Sequence, residues 1–326
     1  MKAKQIQNQD PIDAVITWVD GSTQTNCLQR QYYLTQAGLP LHENAINPHR
    51  WTDNDEISFC LQSIANNAPW VRTIWIVTAG ETPDLSSLSS TLKAKIKFVE
   101  HRDIFGGFEA FLPTFNSLAI ESLIWRIDGL SERFLYFNDD VFLTKPLIES
   151  DVFCGLYPVV RGYWANCTAL VENPEVQSDP AKFNDFMQIN AARIVNFDAR
   201  NIFSTAHVVH PLRRSKMELL FEQHPDGFTN NVRHRFRDLS QFLPQGLHNH
   251  SCIAENEAII ETTNDHLHIN SGQGNDRPVS ETLTLLQNII GSDIKFLCVN
   301  DLPQIEKILP NTRHWLEHAI GGFPNR

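Results

Sequence analysis

"RFLYFNDDVFLTKP", Arg133–Pro146, carries two adjacent carboxylates between two apolar runs. Phe134 to Phe137 forms one run and Val141 to Leu143 the other, with Asn138, Asp139 and Asp140 between them. Unpaired charges do not stay cheaply in an apolar interior. The two aspartates therefore face water at a turn, or they hold something positive. The first run reads as a buried strand, and catalytic groups in open α/β sheets gather where parallel strands end.

Working outward, the same pattern repeats. "IDAVITWV" (Ile12–Val19) is rich in β-branched and aromatic residues and ends in Asp20-Gly21, a turn signal. "NDEISFCLQSIANNA" places Ile57, Leu61 and Ile64 at helical spacing, with Asp53 as a candidate cap. "TIWIVTAG" and "AKIKFVEH" read as strands, "FNSLAIESLIWRI" as a helix. Alternating strands and helices predict an α/β fold with a mostly parallel, Rossmann-like sheet and helices on both faces. Asp20, Thr78 and Asn138–Asp140 then stand at the sheet's ligand-binding edge. The alternation is lost from about Val152 to Asn201, where "AKFNDFMQINAARIVNF" looks helical. The expected division is an α/β part over 1–150, an insertion or lid over 151–205, and a remainder over 206–326 that completes the site. Within that remainder we expect a helix from Ser215 to Gln223, a loop at "NDHLHINSGQGND", a late strand in "SDIKFLCVND" and a helical tail from Leu302.

The chain has 326 residues, of which 42% are hydrophobic and 20% charged, enough apolar material for a sizeable core. A net charge of -11 argues against a general nucleic-acid binder. The six cysteines show no CxxC spacing and read as reduced thiols. "MKAKQIQNQD" has no apolar h-region, and no run approaches the ~20 apolar residues of a spanning helix. These features predict a cytoplasmic protein, with peripheral association at a membrane-bound assembly left open.

Paired carboxylates at a strand end can bind a divalent metal that bridges two phosphates, as in transferases of the GT-A type. The plainer alternative for Asp139 and Asp140 is a solvated turn. Asp13 and Asp20 bracket the first strand and are divided between ribose or base contact and simple turn chemistry. In "RWTDNDEI", Asp55 and Glu56 read as an acidic first helical turn. Arg50 and Asp53 are stronger candidates, since an arginine at a helix start both holds phosphate and fixes a carboxylate. "HVVHPLRRS" brings His207, His210 and Arg213 into one segment, read as acid–base and phosphate-holding groups rather than a zinc site. His248, His250, His266 and His268 receive no specific role.

In this order, "IDAVITWVDGS", "RWTDNDEISFCLQSIANNAPWVRTIWIVTAGETP", "LPTFNSLAIESLIWRIDGLSERFLYFNDDVFLTKP", "STAHVVHPLRRSKMELLFEQHPDGF" and "IKFLCVND" resemble the blocks of the Stealth family of sugar-phosphate transferases. The resemblance implies a GT-A-like fold and a UDP-sugar donor bound with Mg²⁺ or Mn²⁺. It implies attack of a saccharide hydroxyl on the β-phosphorus, with UMP leaving. The acceptor would be an oligosaccharide or polysaccharide of a capsule or exopolysaccharide, with N-acetylhexosamine-1-phosphate as the expected group transferred. Carried over residue by residue, it makes Asp53, His207 and Arg237 catalytic and gives the metal to Asp139 and Asp140. It places Asp20 and Gly21 at uridine, Asn116 at the donor sugar or phosphate, and Arg213 beside Arg237 at the diphosphate. Asn116 fits a helix N-cap equally well. The competing classes are a glycosyltransferase that releases UDP and a nucleotide-sugar-binding protein without turnover.

Overall fold

The computed structural model describes residues 10–37, 53–269, 279–300 and 302–324. Arg50 and Trp51 lie outside the described residues. In chain order the first strands are β1 (Ile12–Thr17), β2 (Ile74–Thr78), β3 (Ile96–Glu100), β4 (Arg133–Asn138) and β5 (Val141–Leu143). There follow β6 (Phe153–Cys154), β7 (Tyr157–Val160), β8 (Gly162–Asn166), β9 (Asn201–Thr205) and β10 (His210–Arg213). The last are β11 (Ile259–Ile260), β12 (His266–Ile269) and β13 (Phe296–Val299).

The central sheet has the order β10-β4-β1-β2-β3. Strands β1 to β4 are mutually parallel, and β10 runs antiparallel to β4. Side chains alternate between the two faces. Ile12, Ala14, Ile16, Leu135 and Phe137 pack with Phe59, Cys60, Leu61 and Ile64 of the helix Glu56–Asn67. Val15, Trp75, Val77, Phe134 and Tyr136 pack with Ile104, Phe105, Leu123 and Ile124 on the other face. Both faces are covered, so the strands read as near-continuous apolar runs. Burying a phenylalanine such as Phe134 or Phe137 contributes roughly 2–3 kcal/mol. The α/β expectation and its four core strands hold.

Three expectations change. The predicted helix over "FNSLAIESLIWRI" breaks into Ser117–Glu121 and a 3-10 turn, Ile124–Arg126. Ser122 Oγ donates back to the Leu118 carbonyl at 2.7 Å, which tightens the break. The block 151–205 holds the helix Phe183–Ile194 as expected, but also β6 to β9. These strands have two to five residues and leave Tyr157, Tyr163 and Trp164 exposed, so alternation gave no signal. Finally, His266–Ile269 is a strand, parallel to β13, which in turn pairs antiparallel with β5.

Asp13 belongs to the framework and not to a ligand site. It is fully buried at the end of the sheet where β1 and β4 begin. Its carboxylate accepts from Arg72 Nε at 2.8 Å and Nη2 at 2.6 Å, Trp75 Nε1 at 3.1 Å, and the Thr73 and Ser131 amides. Burial alone would raise its pKa, but the hydrogen bonds from Arg72, Trp75 and Ser131 outweigh it and hold the carboxyl below its usual value. Asp13→Ala orphans several buried donors at once. We expect a loss of roughly 3 kcal/mol or more in chemical denaturation.

Candidate active site

β4 leaves the central sheet at Asn138, and Asp139 and Asp140 form the turn into β5 of the second sheet. The Val299 amide donates to the Asp140 carbonyl at 3.0 Å and fixes that turn against β13. The aspartate pair therefore stands at the carboxyl end of a parallel strand, where two sheets diverge. A cleft of about 920 Å³ opens there. Asp139, Asp140, His207, Arg237, Asn116 and Gly21 all line it.

The cleft is strongly acidic on one side. Burial, and then the charges of Asp140, Glu56 and Asp53, push the Asp139 carboxyl far above the ordinary range. Burial, with the charge of Asp140 adding to it, pushes Glu56 up to about 7. Asp53 is raised too, first by burial, then by Asp20 and Asp55, against the lowering effect of its hydrogen bonds. Its Oδ1 accepts from Trp18 Nε1 at 3.3 Å and from the Asp55 amide at 3.2 Å. Asp53 is thus not the helix cap. Asp55 holds the N-cap position at φ 66°, a left-handed geometry that aspartate tolerates. That turn delivers Glu56, buried and bonded to the Asn54 amide at 2.8 Å, to the cleft wall. Glu56 is therefore more than a first-turn acid serving the helix dipole.

His207 faces this cluster. Its Nε2 lies 3.8 Å from Asp140 Oδ1. That oxygen is buried and has no hydrogen-bond partner among the described residues, whereas Oδ2 accepts from Asn300 Nδ2. His268 bonds Asn300 Oδ1, and its ring lies 5.4 Å from that of His207. Ligand-type atoms of Asp140, His207 and Cys298 all lie within 4.8 Å of one another. The segment that presents His207 is clamped two residues earlier. Gln188 Oε1 accepts from the Thr205 amide at 2.7 Å, its Nε2 donates to the Thr205 carbonyl at 3.3 Å, and Asn249 Nδ2 holds Thr205 Oγ1 at 3.2 Å. Arg237 enters from another wall, its guanidinium 5.1 Å from the centre of the Phe183 ring.

The other predicted residues divide. Gly21 lines the cleft, while Asp20 caps its own turn, accepting from Ser22 N at 2.9 Å and Ser22 Oγ at 2.5 Å. Asn116 caps the helix Ser117–Glu121 through the Leu118 amide at 3.2 Å. Its Nδ2 also holds the His234 carbonyl and Gln241 Oε1, both at 2.9 Å, so it fixes the segment that carries Arg237. Arg213 is a correction. It pairs with Arg133 at the start of β4, about 16 Å along the strand from Asn138. Its guanidinium binds Glu257 at 2.7 Å and Glu132 at 3.7 Å, and it does not line the cleft. The sequence reading missed Glu56, His268 and Asn300. The Asn-Asp ending of the late strand was the one signal for Asn300.

Residues 50–157 match Stealth protein CR2, conserved region 2. An exopolysaccharide phosphotransferase of Streptomyces coelicolor is 38% identical over 229 residues, covering 70% of this chain and 36% of that protein. A capsular polysaccharide phosphotransferase of Neisseria meningitidis serogroup B is 39% identical over 251 residues, covering 72% of this chain and 63% of that one. Residues 50–157 thus carry the second conserved region of the Stealth proteins, and the likeness to the two phosphotransferases extends over 70% and 72% of the chain. The chain spans between 25% and 63% of the length of the curated relatives it matches. Among solved structures, galactosyltransferase LgtC with donor and acceptor sugar analogs aligns over 94% of this chain and 95% of its own, at 11% identity and a TM-score of 0.44. The Stealth region 2 match takes in Glu56, Asn116, Asp139 and Asp140 of the cleft, and Asp53, which does not line it, whereas His207, Arg237 and Asn300 reach the same cleft from outside the matched residues. No helix among the described residues is long and apolar enough to cross a membrane.

Proposed function

We propose that this chain transfers a hexose-1-phosphate, with N-acetylhexosamine-1-phosphate as the first candidate, from a UDP-sugar to a saccharide hydroxyl. UMP leaves and a phosphodiester forms, in the synthesis of a capsular or exopolysaccharide. The observation that carries this reading is the meeting of the Asp139–Asp140 pair, Glu56, His207 and Arg237 in one cleft of a chain that carries Stealth conserved region 2.

The residues present fit a divalent cation. A buried Asp140 oxygen lacks a hydrogen-bond partner among the described residues, and neighbouring carboxylates repel one another in a way that a cation would relieve. Asp139 and Asp140 would hold it, with Glu56 beside them, and an oxygen-rich set of this kind suits Mg²⁺ or Mn²⁺. When bound, the ion neutralises charge on the diphosphate and its leaving group. Arg237 holds the phosphate through its planar fork. The imidazole of His207 takes the proton of the acceptor hydroxyl as its oxygen bonds to the β-phosphorus. The bond from that phosphorus to the bridging oxygen breaks, and the electron pair leaves with UMP. The sugar's anomeric bond stays intact. Asp53 is the reserve base, but its Oδ1 is committed to Trp18 and Asp55. The mixed set of Asp140, His207 and Cys298 supports a second reading, a softer ion such as Zn²⁺.

The test is incubation with a panel of UDP-sugars, scoring UMP, UDP and phosphodiester product by mass. EDTA should stop UMP release, and Mg²⁺ or Mn²⁺ should restore it. Release of UDP instead would make the protein an ordinary glycosyltransferase. Binding without turnover would make it a nucleotide-sugar-binding protein. Unchanged turnover in chelator would sink the metal role, and restoration by Zn²⁺ alone would favour the mixed set.

A further inference from the structure

Thr114, Glu121 and Gln245 line the cleft and have no part in the chemistry above. All three are buried, at 6%, 4% and 1% exposure. Thr114 precedes the short helix Ser117–Glu121, Glu121 ends it, and Gln245 lies in the first turn of the helix Pro244–Ala254. Gln245 Nε2 donates to Glu121 Oε2 at 2.9 Å, which leaves the amide oxygen Oε1 as an acceptor. That oxygen and Thr114 Oγ1 are buried without a hydrogen-bond partner among the described residues. Orphans of this kind are uncommon in folded proteins, because a buried polar atom without a partner is costly. Two of them in the lining of one cleft, one of them on a side chain bonded to a buried carboxylate, point to a ligand that completes their bonding.

The chemistry of these side chains selects that ligand. Gln245 Oε1 and Glu121 accept hydrogen bonds, and the Thr114 hydroxyl accepts or donates. The ligand must therefore bring mainly donors. A phosphate brings none and would meet the acid Glu121. A uracil edge presents two carbonyl acceptors for its single N–H. A pyranose ring presents several adjacent hydroxyls. We propose that Thr114, Glu121 and Gln245 read the hydroxyl edge of a hexose. Binding turns the two orphan atoms onto the ring. The proposal rests on the UDP-sugar reading of the cleft. The same chemistry serves the hexose of the donor and a saccharide acceptor.

The experiment is calorimetric titration of the full chain in Mg²⁺ with UDP, UDP-GlcNAc, UDP-glucose and UDP-galactose. A second arm titrates free GlcNAc and glucose at saturating UDP. Both arms are run on wild type, Thr114→Val and Gln245→Met. If the recess holds the donor ring, the wild type binds a UDP-hexose more tightly than UDP. Each variant then loses roughly tenfold of that gain while UDP affinity stays. If it holds the acceptor ring, the loss falls on the free hexose instead. Thr114→Val has a further signature. It removes a hydroxyl that bonds nothing among the described residues, so its Tm should equal or exceed the wild-type value. A lower Tm with unchanged hexose binding would make the threonine structural and overturn the proposal. Unchanged hexose affinity in both variants, or no hexose gain in either arm for the wild type, would overturn it as well. These readouts are of binding, so hexose recognition without UMP release would remove the transfer reaction and leave the recess standing.

Discussion

Asp139→Asn and Asp140→Asn should each lower UMP release by on the order of 10²–10³-fold or more, the scale on which charge stabilisation of a transferring group operates. The fold should not suffer. Asp139 is pushed far above the ordinary range by burial and then by Asp140, Glu56 and Asp53, so its charge is a liability to the protein without a cation. An amide of the same shape removes that repulsion. Each variant measured in EDTA should melt at or above the wild-type temperature. Adding Mg²⁺ should raise the Tm of the wild type, because the ion binds the folded chain, and should raise the variants' far less. Loss of activity together with unchanged or higher stability marks a site built for a ligand. Loss of both would make the pair a structural turn, and full activity in both variants would remove the metal role.

The strand ends were legible because apolar runs that stop at polar residues leave a local trace. Asp139 and Asp140 were found that way, with buried residues on both sides. Glu56 was hidden by an equally good local explanation, since an acid in a first helical turn satisfies the helix dipole wherever it points. Asn300 meets Asp140, and His268 meets Asn300, only because β5, β12 and β13 share a sheet, and pairing across so many residues is written in no local pattern. Arg213 shows the converse error. Its neighbourhood to His207 in sequence was read as neighbourhood in space. But β10 runs antiparallel to β4, so His210 sits opposite Tyr136 towards the cleft while Arg213 ends opposite Arg133 at the far edge. Asn116 realised its capping alternative, and its remaining amide protons serve the loop that carries Arg237.

His207→Ala should reduce kcat by on the order of 10²–10⁴-fold, the range for losing one acid–base group. UDP-sugar affinity should change little, because the imidazole acts on the acceptor and does not hold the diphosphate. His210→Ala should show the opposite balance. His210 is buried and its ring stacks on Tyr136 with centroids 6.2 Å apart. Burial, then the nearby His207 and His248, push its pKa down to about 3, so it stays neutral at working pH and cannot carry a titration near neutrality. Removing it leaves a cavity in the sheet, and the expected cost of roughly 2–4 kcal/mol appears as a lower Tm more than as a lower kcat. Arg237→Lys separates a third role. Lysine keeps the charge but loses the planar fork, so both kcat and donor affinity should fall. The three variants thus predict three signatures: chemistry without binding, stability without chemistry, and chemistry with binding. If His210→Ala were the more damaging to kcat at equal folded fraction, the base would lie one turn of chain further along. If neither histidine mattered, Asp53 would be the base and His207 a positioning group beside Asp140.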